Sequence, residues 1–352
     1  MPNHFPPLSE EPSVAEIDLG RWLFYDVRLS KDGTRSCGIC HEQHKAFSDG
    51  LTRGIGIDGA LLSLNSLSLV NVAWRQELTW FQKIGSIETH MEIPLLQTDP
   101  IEMGMTEALV VERLADAIIY QDMFATTFLN EEISFENTIQ AITAFTQTIS
   151  SGNSPYDLWL KGEGELTESQ DRGRQLFFGN KTKCSMCHGG IFFDQPDASL
   201  VAEERHGYFN IGLYNIDGEG GYPLSARGLI EETGNPEDMG KFRVPTLRNL
   251  AYTKPWMHDG TEINLENIIQ IYARGGRKLD GGAYVGDGRD SPLKSPLLSG
   301  FELSPQEQED LMAFLDALND SSLLDEPRLA TPFCMRRSGE IINIPCEEPY
   351  QP

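Results

Sequence analysis

Two short motifs in this chain of 352 residues place cysteine and histidine at a spacing that suits covalent attachment of a cofactor. Both read C-x-x-C-H, and they comprise Cys37, Cys40 and His41 in the first case and Cys184, Cys187 and His188 in the second. Two thiols at this spacing can bind the two vinyl groups of a haem, and the adjacent histidine can reach the iron. The sequence therefore predicts two covalently bound c-type haems, with His41 and His188 as proximal ligands. Surface histidines after chance cysteine pairs are the alternative, which requires the same coincidence twice.

The third cysteine pair, Cys334 and Cys346, has no histidine nearby. We expect a disulfide that closes the tail at residues 334–352, with two unreacted thiols as the alternative. Haem attachment and a disulfide both favour an oxidising compartment outside the cytoplasm. Residues 1–7 contain no charged and apolar leader, so we expect an exported, periplasmic protein whose signal peptide has been removed.

The composition argues against two classes of partner. The 28 Lys and Arg residues stand against 53 Asp and Glu, and the resulting formal net charge of −25 makes nucleic acid a poor partner. No apolar run approaches the roughly 20 residues that a membrane helix needs, so we expect no membrane span. The acidic surface can steer a basic protein partner, or it can serve only the solubility of a secreted protein.

The two halves of the chain repeat the same elements around each motif. Gly20-Arg21 precedes the first motif as Gly173-Arg174 precedes the second, and each half ends in an amphipathic helix, near residues 137–149 and 306–318. One helix before a haem-binding loop and one helix that closes against it is the plan of a small cytochrome c. We therefore predict an all-α fold of two cytochrome c-like domains, each with one haem, packed around a shared interface.

A cluster of turn-forming residues marks the boundary between these domains. Ser150-Ser151-Gly152-Asn153-Ser154-Pro155 directly follows the first closing helix. We place the N-terminal domain at residues 13–150 and the C-terminal domain at residues 151–333, followed by the tail. A second stretch rich in Gly, Asp and Pro, at residues 279–300, is expected to be an insertion within the second domain.

Further motifs give residues 15–320 a resemblance to a known family. They are Leu19-Gly20-Arg21, Arg28-Leu29-Ser30, Asn71-Val72-Ala73, Pro100-Ile101-Glu102-Met103-Gly104, Phe242-Arg243-Val244-Pro245-Thr246-Leu247-Arg248-Asn249 and Pro255-Trp256-Met257-His258-Asp259-Gly260. Together with the two C-x-x-C-H sites, they resemble the bacterial di-haem cytochrome c peroxidase and MauG superfamily. Residues 68–73 and 78–80 are most similar to the branch that contains MbnH, a partner-protein-modifying enzyme of methanobactin pathways.

The resemblance implies that the N-terminal haem reacts with peroxide and that the C-terminal haem holds or relays electrons. Glu102 matches the family's carboxylate, which moves a proton between the peroxide oxygens. Local sequence alone would make Glu102 a favourable charge ahead of a helix that begins near Thr106. His90 stands where relatives usually have glutamine. It can shuttle protons, bind iron in a resting state, or line the pocket as a polar residue.

The region between the haems is also implied by the resemblance. Trp80 matches a tryptophan whose π-system can carry an electron hole, and core packing is the alternative. Asn65 and the backbone carbonyls of Thr253 and Pro255 match the family's calcium position, where hard oxygen donors suit that ion. Without the match, Asn65 would be interpreted as a turn residue.

Tyr272 matches the sixth ligand of the second haem, which is methionine in the peroxidases and tyrosine in MauG. Ile268, Ile271 and Tyr272 share one helical face, so an ordinary core tyrosine is the alternative. A tyrosinate ligand stabilises ferric and higher iron, which favours the sharing of oxidising equivalents over the acceptance of electrons at high potential.

Three functions are compatible with these residues. In the first, hydrogen peroxide forms a high-valent di-haem state that oxidises an aromatic residue, foremost a tryptophan, of a partner protein. The second is a cytochrome c peroxidase that reduces hydrogen peroxide to water with electrons from a small cytochrome c or cupredoxin, and Tyr272 argues against it. The third is a non-catalytic di-haem electron carrier, which needs strong ligands on both irons; Glu102 argues against it.

Overall fold

Helices make up most of the regular structure. The computed structural model describes residues 5–8, 10–129, 132–198, 207–335 and 341–345. Within these ranges the α-helices are α1 Val14–Tyr25, α2 Cys37–Cys40, α3 Ile87–Leu96, α4 Glu107–Ala115, α5 Ile118–Thr127, α6 Phe135–Gln147, α7 Pro155–Lys161, α8 Glu168–Phe178, α9 Cys184–Cys187, α10 Ile230–Thr233, α11 Leu265–Arg274 and α12 Pro305–Asp316. Short 3-10 helices lie at Val27–Leu29, Gln43–Lys45, Val72–Trp74, Pro236–Asp238, Gly288–Asp290, Ser321–Leu323 and Pro327–Leu329. The predicted all-α class is confirmed as a mostly helical fold.

The strands of the described ranges form small antiparallel pairs. They are β1 Tyr208–Phe209 with β2 Phe242–Arg243, β3 Lys278–Leu279 with β4 Gly286–Asp287, and β5 Phe333–Met335 with β6 Ile341–Pro345. The second pair is a hairpin at the start of the loop-rich stretch that the sequence predicts at residues 279–300. These strands shape loops around the helices and do not add a sheet layer to the core.

The repeated glycines allow two equivalent helix crossings. A Cβ added to Gly20 in α1 would lie 1.8 Å from the carbonyl oxygen of Ala141 in α6, and a Cβ on Gly173 in α8 would lie 1.8 Å from that of Asp310 in α12. Only a residue without a side chain allows this approach. The Gly-Arg pair before each C-x-x-C-H motif therefore recurs because each half packs its first helix tightly against its closing helix.

Each helix pair carries an apolar core. The first is built on α1 and α6, with buried residues that include Leu19, Leu23, Phe24, Ile139, Ile142 and Phe145. The second is built on α8 and α12, with buried residues that include Phe177, Phe193, Leu311, Phe314 and Leu318. Burial of a large apolar side chain stabilises by about 1.5–3 kcal/mol, so these clusters hold the helices that flank each haem motif.

The segment between α6 and α7 is fixed by buried hydrogen bonds. The carboxylate of Asp320 accepts hydrogen bonds from the Ser151 hydroxyl and from the backbone amides of Gly152 and Asn153. The side chain of Asn71 both donates to and accepts from the backbone of Ser151. The turn-forming residues are thus fixed both to Asn71 in the first half and to Asp320 after α12, and they do not act as a loose linker.

The segment after α12 returns to the first core. Leu323, Leu329 and Phe333 are buried there, and the Tyr25 hydroxyl donates a hydrogen bond to the carbonyl oxygen of Leu329 over 2.6 Å. The side-chain amide of Gln43 also donates to carbonyl oxygens of this segment. Residues at the far end of the chain therefore help to enclose the first haem motif.

Two further expectations concern the membrane and the tail. No helix in the described part of the chain is long and apolar enough to cross a membrane. The predicted disulfide between Cys334 and Cys346 lies outside the described residues, because Cys346 is not among them.

Candidate haem and redox site

The first C-x-x-C-H motif forms one helical turn, α2, and His41 follows it directly. The Nδ1 atom of His41 lies 2.9 Å from the carbonyl oxygen of Phe47. A histidine that donates its Nδ1 proton to a carbonyl presents the lone pair of Nε2, the atom that binds a metal. Burial lowers the pKa of His41, which favours the same neutral form. Burial also raises the pKa of the Cys37 thiol to about 12 and that of Cys40 to about 11.

The second motif repeats this arrangement in α9. The Nδ1 atom of His188 lies 3.3 Å from the carbonyl oxygen of Phe193 and 3.2 Å from that of Pro245. His188 is buried, and burial lowers its pKa. Both histidines are therefore oriented through Nδ1 by a carbonyl a few residues further along the chain, which leaves Nε2 of each available to iron.

A largely apolar cavity opens beside the second motif. Cys184, Cys187 and His188 line it together with Phe209, Phe242, Leu247, Ile268, Ile269 and Leu311. Residues of the first half, among them Asn65, Arg75 and Trp80, complete the wall. An apolar cavity beside two thiols and an imidazole nitrogen has the chemistry that a covalently held porphyrin requires, so these residues fit a haem.

Tyr272 lies in the wall of this cavity. Its helix, α11, begins after Asn264, whose side chain accepts a hydrogen bond from the Glu266 amide, and ends at Gly275 in a left-handed conformation. Leu265, Ile268, Ile269 and Tyr272 line the cavity at the spacing of one helical face. Burial raises the pKa of the Tyr272 phenol. Ile271 was expected on the same helical face as Tyr272. It is not one of the described residues that line the cavity.

Glu102 and His90 lie near the first motif. Burial raises the pKa of Glu102, and the Glu102 charge is near enough to contribute to the raised pKa of Cys40. His90 belongs to α3, where burial, together with the charges of His41 and Arg243, lowers its pKa to about 4. The structure thus brings an acid and a second imidazole to the first motif from separate segments.

The other predicted residues gather at the second cavity. Trp80 is only 8% exposed, and its indole nitrogen donates a hydrogen bond to the carbonyl oxygen of Asn65 over 2.8 Å. Asn65, Thr253 and Pro255 line the same cavity as Trp80. The candidate relay residue and the candidate calcium ligands therefore line the same cavity, and Trp80 contacts Asn65 directly.

Three polar residues that line this cavity, Arg75, Arg243 and His258, were not predicted as site residues. Arg243 and His258 lie within the motifs that carry the family resemblance. Arg75 forms a buried ion pair with Asp194 over 3.1 Å and joins the two halves. One terminal nitrogen of Arg243 and the Nε2 atom of His258 are buried without a hydrogen-bond partner among the described residues. Unpaired buried polar groups are costly, so they indicate a ligand group. The cationic side chains suit the carboxylates of a haem.

Comparison with known proteins shows the family of this chain. The family model of the di-haem cytochrome c peroxidases matches residues 14–165. The methylamine utilization protein MauG of Methylorubrum extorquens is 32% identical over 320 residues, which cover 90% of this chain and 82% of that protein. The chain therefore belongs to the di-haem cytochrome c peroxidase and MauG family, and it is an oxidoreductase of the haem peroxidase type.

Two further relatives bear different descriptions. The cytochrome-c peroxidase IdrP1 of a Pseudomonas species is 32% identical over 341 residues, which cover 92% of this chain and 86% of that protein. The crystal structure of a MauG-like protein associated with microbial copper homeostasis superimposes with a TM-score of 0.89 at 44% identity, over 94% of this chain and 98% of that one. Both MauG-like enzymes and cytochrome c peroxidases are thus relatives.

Proposed function

We propose that the chain is an exported, periplasmic MauG-like enzyme that uses hydrogen peroxide to oxidise an aromatic residue, foremost a tryptophan, of a partner protein. The observation that carries this proposal is the position of Tyr272 in the wall of the second cavity. The likeness to the MauG-like protein associated with copper homeostasis supports the same branch, at 44% identity. When bound, the haems supply the redox chemistry with peroxide.

We propose that each half holds one haem, through Cys37, Cys40 and His41 in residues 13–150 and through Cys184, Cys187 and His188 in residues 151–333. The carbonyl-oriented imidazoles in both halves support this assignment. The intact mass of the denatured protein should exceed that of the polypeptide by two haems. A gain of one haem, or loss of haem on acid extraction, would contradict it.

Glu102 and His90 are proposed to act at the first haem. Burial raises the pKa of Glu102, and a carboxyl group at this place can accept a proton from one peroxide oxygen and give it to the other. His90 lies near His41 on a different element, which supports a place beside the first haem. Its neutral imidazole can pass a proton between Glu102 and solvent.

A calcium ion is proposed at Asn65, Thr253 and Pro255. The side-chain amide of Asn65 donates to the carbonyl oxygen of Leu51, which fixes its orientation. Within the described part of the chain, the Asn65 side-chain oxygen and the carbonyl oxygens of Thr253 and Pro255 accept no hydrogen bond. Three uncommitted oxygens beside one cavity suit a hard cation.

The second candidate is a cytochrome c peroxidase fed by a small cytochrome c or a cupredoxin, and the relationship to IdrP1 favours it. The two functions differ in where the oxidising equivalents reside. Stoichiometric peroxide should be added to the diferric protein and followed by near-infrared absorption and Mössbauer spectroscopy. The MauG-like proposal requires that both irons change together, whereas a change at one iron alone favours the peroxidase.

A further inference from the structure

A series of aromatic rings leads from the second cavity to the protein surface. The ring of His258, in the cavity wall, stacks on Phe242 at 3.7 Å and lies 6.4 Å from Trp80, measured between ring centroids. His258 also lies 6.4 Å from Tyr214, which in turn lies 5.7 Å from Tyr284. Tyr284 is 40% exposed, so the series ends in solvent.

The position of Tyr284 is fixed by the hairpin of β3 and β4. The side chain of Asn215, next to Tyr214, donates a hydrogen bond to the carbonyl oxygen of Asp287 over 3.0 Å. A Cβ on Gly286 would lie 2.2 Å from the carbonyl oxygen of Asn215, so the hairpin can approach this segment only with glycine there. The turn therefore holds Tyr284 against Tyr214.

The carboxylate of Asp259 is placed to accept the phenolic proton of Tyr214. The Tyr214 hydroxyl donates to the Oδ2 atom of Asp259 over 2.6 Å, and Arg277 donates to the same oxygen over 3.0 Å. Burial raises the pKa of Asp259, whereas the charges of His258 and Arg277 lower it, and the net result is a lowered pKa. Asp259 is therefore a carboxylate that can accept a proton. A tyrosine that loses an electron also loses its phenolic proton, so an adjacent carboxylate makes oxidation of Tyr214 easier.

We propose that Tyr214 and Tyr284 relay oxidising equivalents from the haem cavity to the surface, where Tyr284 oxidises an aromatic side chain of the partner protein. This inference rests on the proposed function, because it needs an oxidant generated from peroxide inside the cavity. It adds the exit point: the turn between β3 and β4 is where the partner's aromatic residue must come close.

The electrons and protons balance as follows. Tyr214 gives one electron towards the cavity and its phenolic proton to Asp259. Tyr284 gives an electron to the Tyr214 radical, which recovers its proton from Asp259, while Tyr284 releases a proton to water. The partner's aromatic side chain then reduces Tyr284, which takes a proton back from water, and the oxidised side chain itself loses a proton to water. Two such events supply the two electrons and the two protons that convert one peroxide to two water molecules.

Tyr222 provides a matched control. Its ring lies 5.3 Å from Tyr214 and 6.0 Å from His258, so it is as near to the series as Tyr284. It is only 3% exposed, and its hydroxyl is bonded to Asn210. Tyr222 therefore leads to no surface, and its loss should leave the relay intact.

The experiment traps the surface radical. The haem-loaded protein is mixed with peroxide and a nitroso spin trap, and the trapped residue is located by mass spectrometry of peptides. We expect an adduct on Tyr284 that is lost in Tyr284→Phe and in Tyr214→Phe and kept in Tyr222→Phe. Tyr284→Trp should restore an adduct at that position, because tryptophan is also oxidisable.

A second probe is a synthetic peptide that contains one tryptophan. Its oxidation should fall in Tyr284→Phe and stay unchanged in Tyr222→Phe. Equal oxidation of the peptide in both variants, or an adduct on Tyr284 that persists in Tyr214→Phe, would overturn the relay. If peroxide leaves the haem spectrum unchanged, the proposed function itself fails. A spectral response without any label at Tyr284 removes only the relay.

Discussion

The indole nitrogen of Trp80 donates a hydrogen bond to the backbone carbonyl oxygen of Asn65 over 2.8 Å. The backbone amide of Asn65 in turn donates to the carbonyl oxygen of His258 over 2.9 Å. Hydrogen bonds therefore connect Trp80, which is proposed to carry electron holes, to Asn65, which is proposed to bind calcium. They also connect Asn65 to the segment that includes Thr253 and Pro255. A change at the calcium position should be transmitted to the orientation of the indole.

Removal of calcium should therefore change the orientation of the Trp80 indole and lower the stability of the folded protein. Treatment with a calcium chelator should change the tryptophan fluorescence and lower the unfolding temperature, because a ligand that binds only the folded state stabilises it. Both signals should return when calcium is added back, and magnesium should restore them less well, because it demands a tighter octahedral site. Asn65→Ala should abolish the response to the chelator. If Asn65→Ala responded to the chelator as the unmodified protein does, the calcium assignment would be wrong.

Replacement of Glu102 by glutamine should slow the reaction with peroxide. The amide keeps the shape but cannot transfer a proton, and a positioned acid-base group contributes about 100-fold or more. The rate of the spectral change after rapid mixing with peroxide measures this effect. Glu107→Gln, at an exposed position in the first turn of α4, is the matched control and should react at the normal rate. An unchanged rate in Glu102→Gln would return Glu102 to a role at the start of that helix.

Replacement of Tyr272 by phenylalanine should change the second haem without unfolding the protein. The ring still fills its place among Ile268 and Ile269, and only the hydroxyl is lost. Oxidation of a partner protein should fail although peroxide is still consumed, and Tyr272→Met should raise the potential of the second haem towards peroxidase behaviour. Tyr156→Phe, a buried tyrosine of the second core, is the control.

The readouts for Tyr272→Phe are the absorption spectrum and the reduction potential of the second haem. If both equal those of the unmodified protein, Tyr272 is core packing and another residue is the ligand. The peroxidase then becomes the better function.

Replacement of Asp157 by asparagine should destabilise the protein by about 3–5 kcal/mol, because it leaves the buried Arg248 charge without its partner. The two residues form a bidentate pair with both contacts at 2.8 Å. Asp171→Asn, which removes a partly exposed ion pair with Arg174, should cost about 1 kcal/mol or less. The free energy of unfolding in urea gives both values for the haem-loaded protein.

The stability from Asp157 should also depend on pH. Burial raises the pKa of Asp157, but hydrogen bonds and charge from Arg248 outweigh burial and lower the pKa below its usual value. A lowered pKa in the folded state gives stability that is complete above the unfolded pKa of about 3.9 and is lost as the pH falls through the folded pKa. The difference between the unmodified protein and Asp157→Asn should therefore shrink in acid. A difference that is constant with pH would show that the charge of Asp157 is not responsible.

Local patterns predict the elements that carry the haem motifs. The closing helices expected near residues 137–149 and 306–318 are α6 Phe135–Gln147 and α12 Pro305–Asp316. The first begins two residues and the second one residue earlier than its apolar pattern, because Ser134 and Ser304 cap them. The helix expected near Thr106 begins at Glu107 after a Thr106 cap. Caps and periodicity are local properties, and they suffice here.

Contacts between distant segments could not be predicted in the same way. Nothing near Arg75 or His258 in the sequence indicates that both face the second cavity, since that depends on how the halves meet. Tyr214 and Tyr284 are brought together by a hairpin whose approach depends on Gly286. Leu323 and Leu329 lie in short 3-10 turns without helical periodicity, so their burial in the first core has no local signal.

The return of the chain's last segment to the first core has a consequence for biogenesis. For a chain exported from its N-terminus, the first C-x-x-C-H motif emerges long before Leu323 and Leu329 arrive to enclose Tyr25 and Gln43. Until then the Tyr25 hydroxyl and the Gln43 amide lack their acceptors on Leu329 and Leu323, so the first motif is less enclosed. Chains that stop at residue 320 should acquire the first haem and yet remain sensitive to proteases.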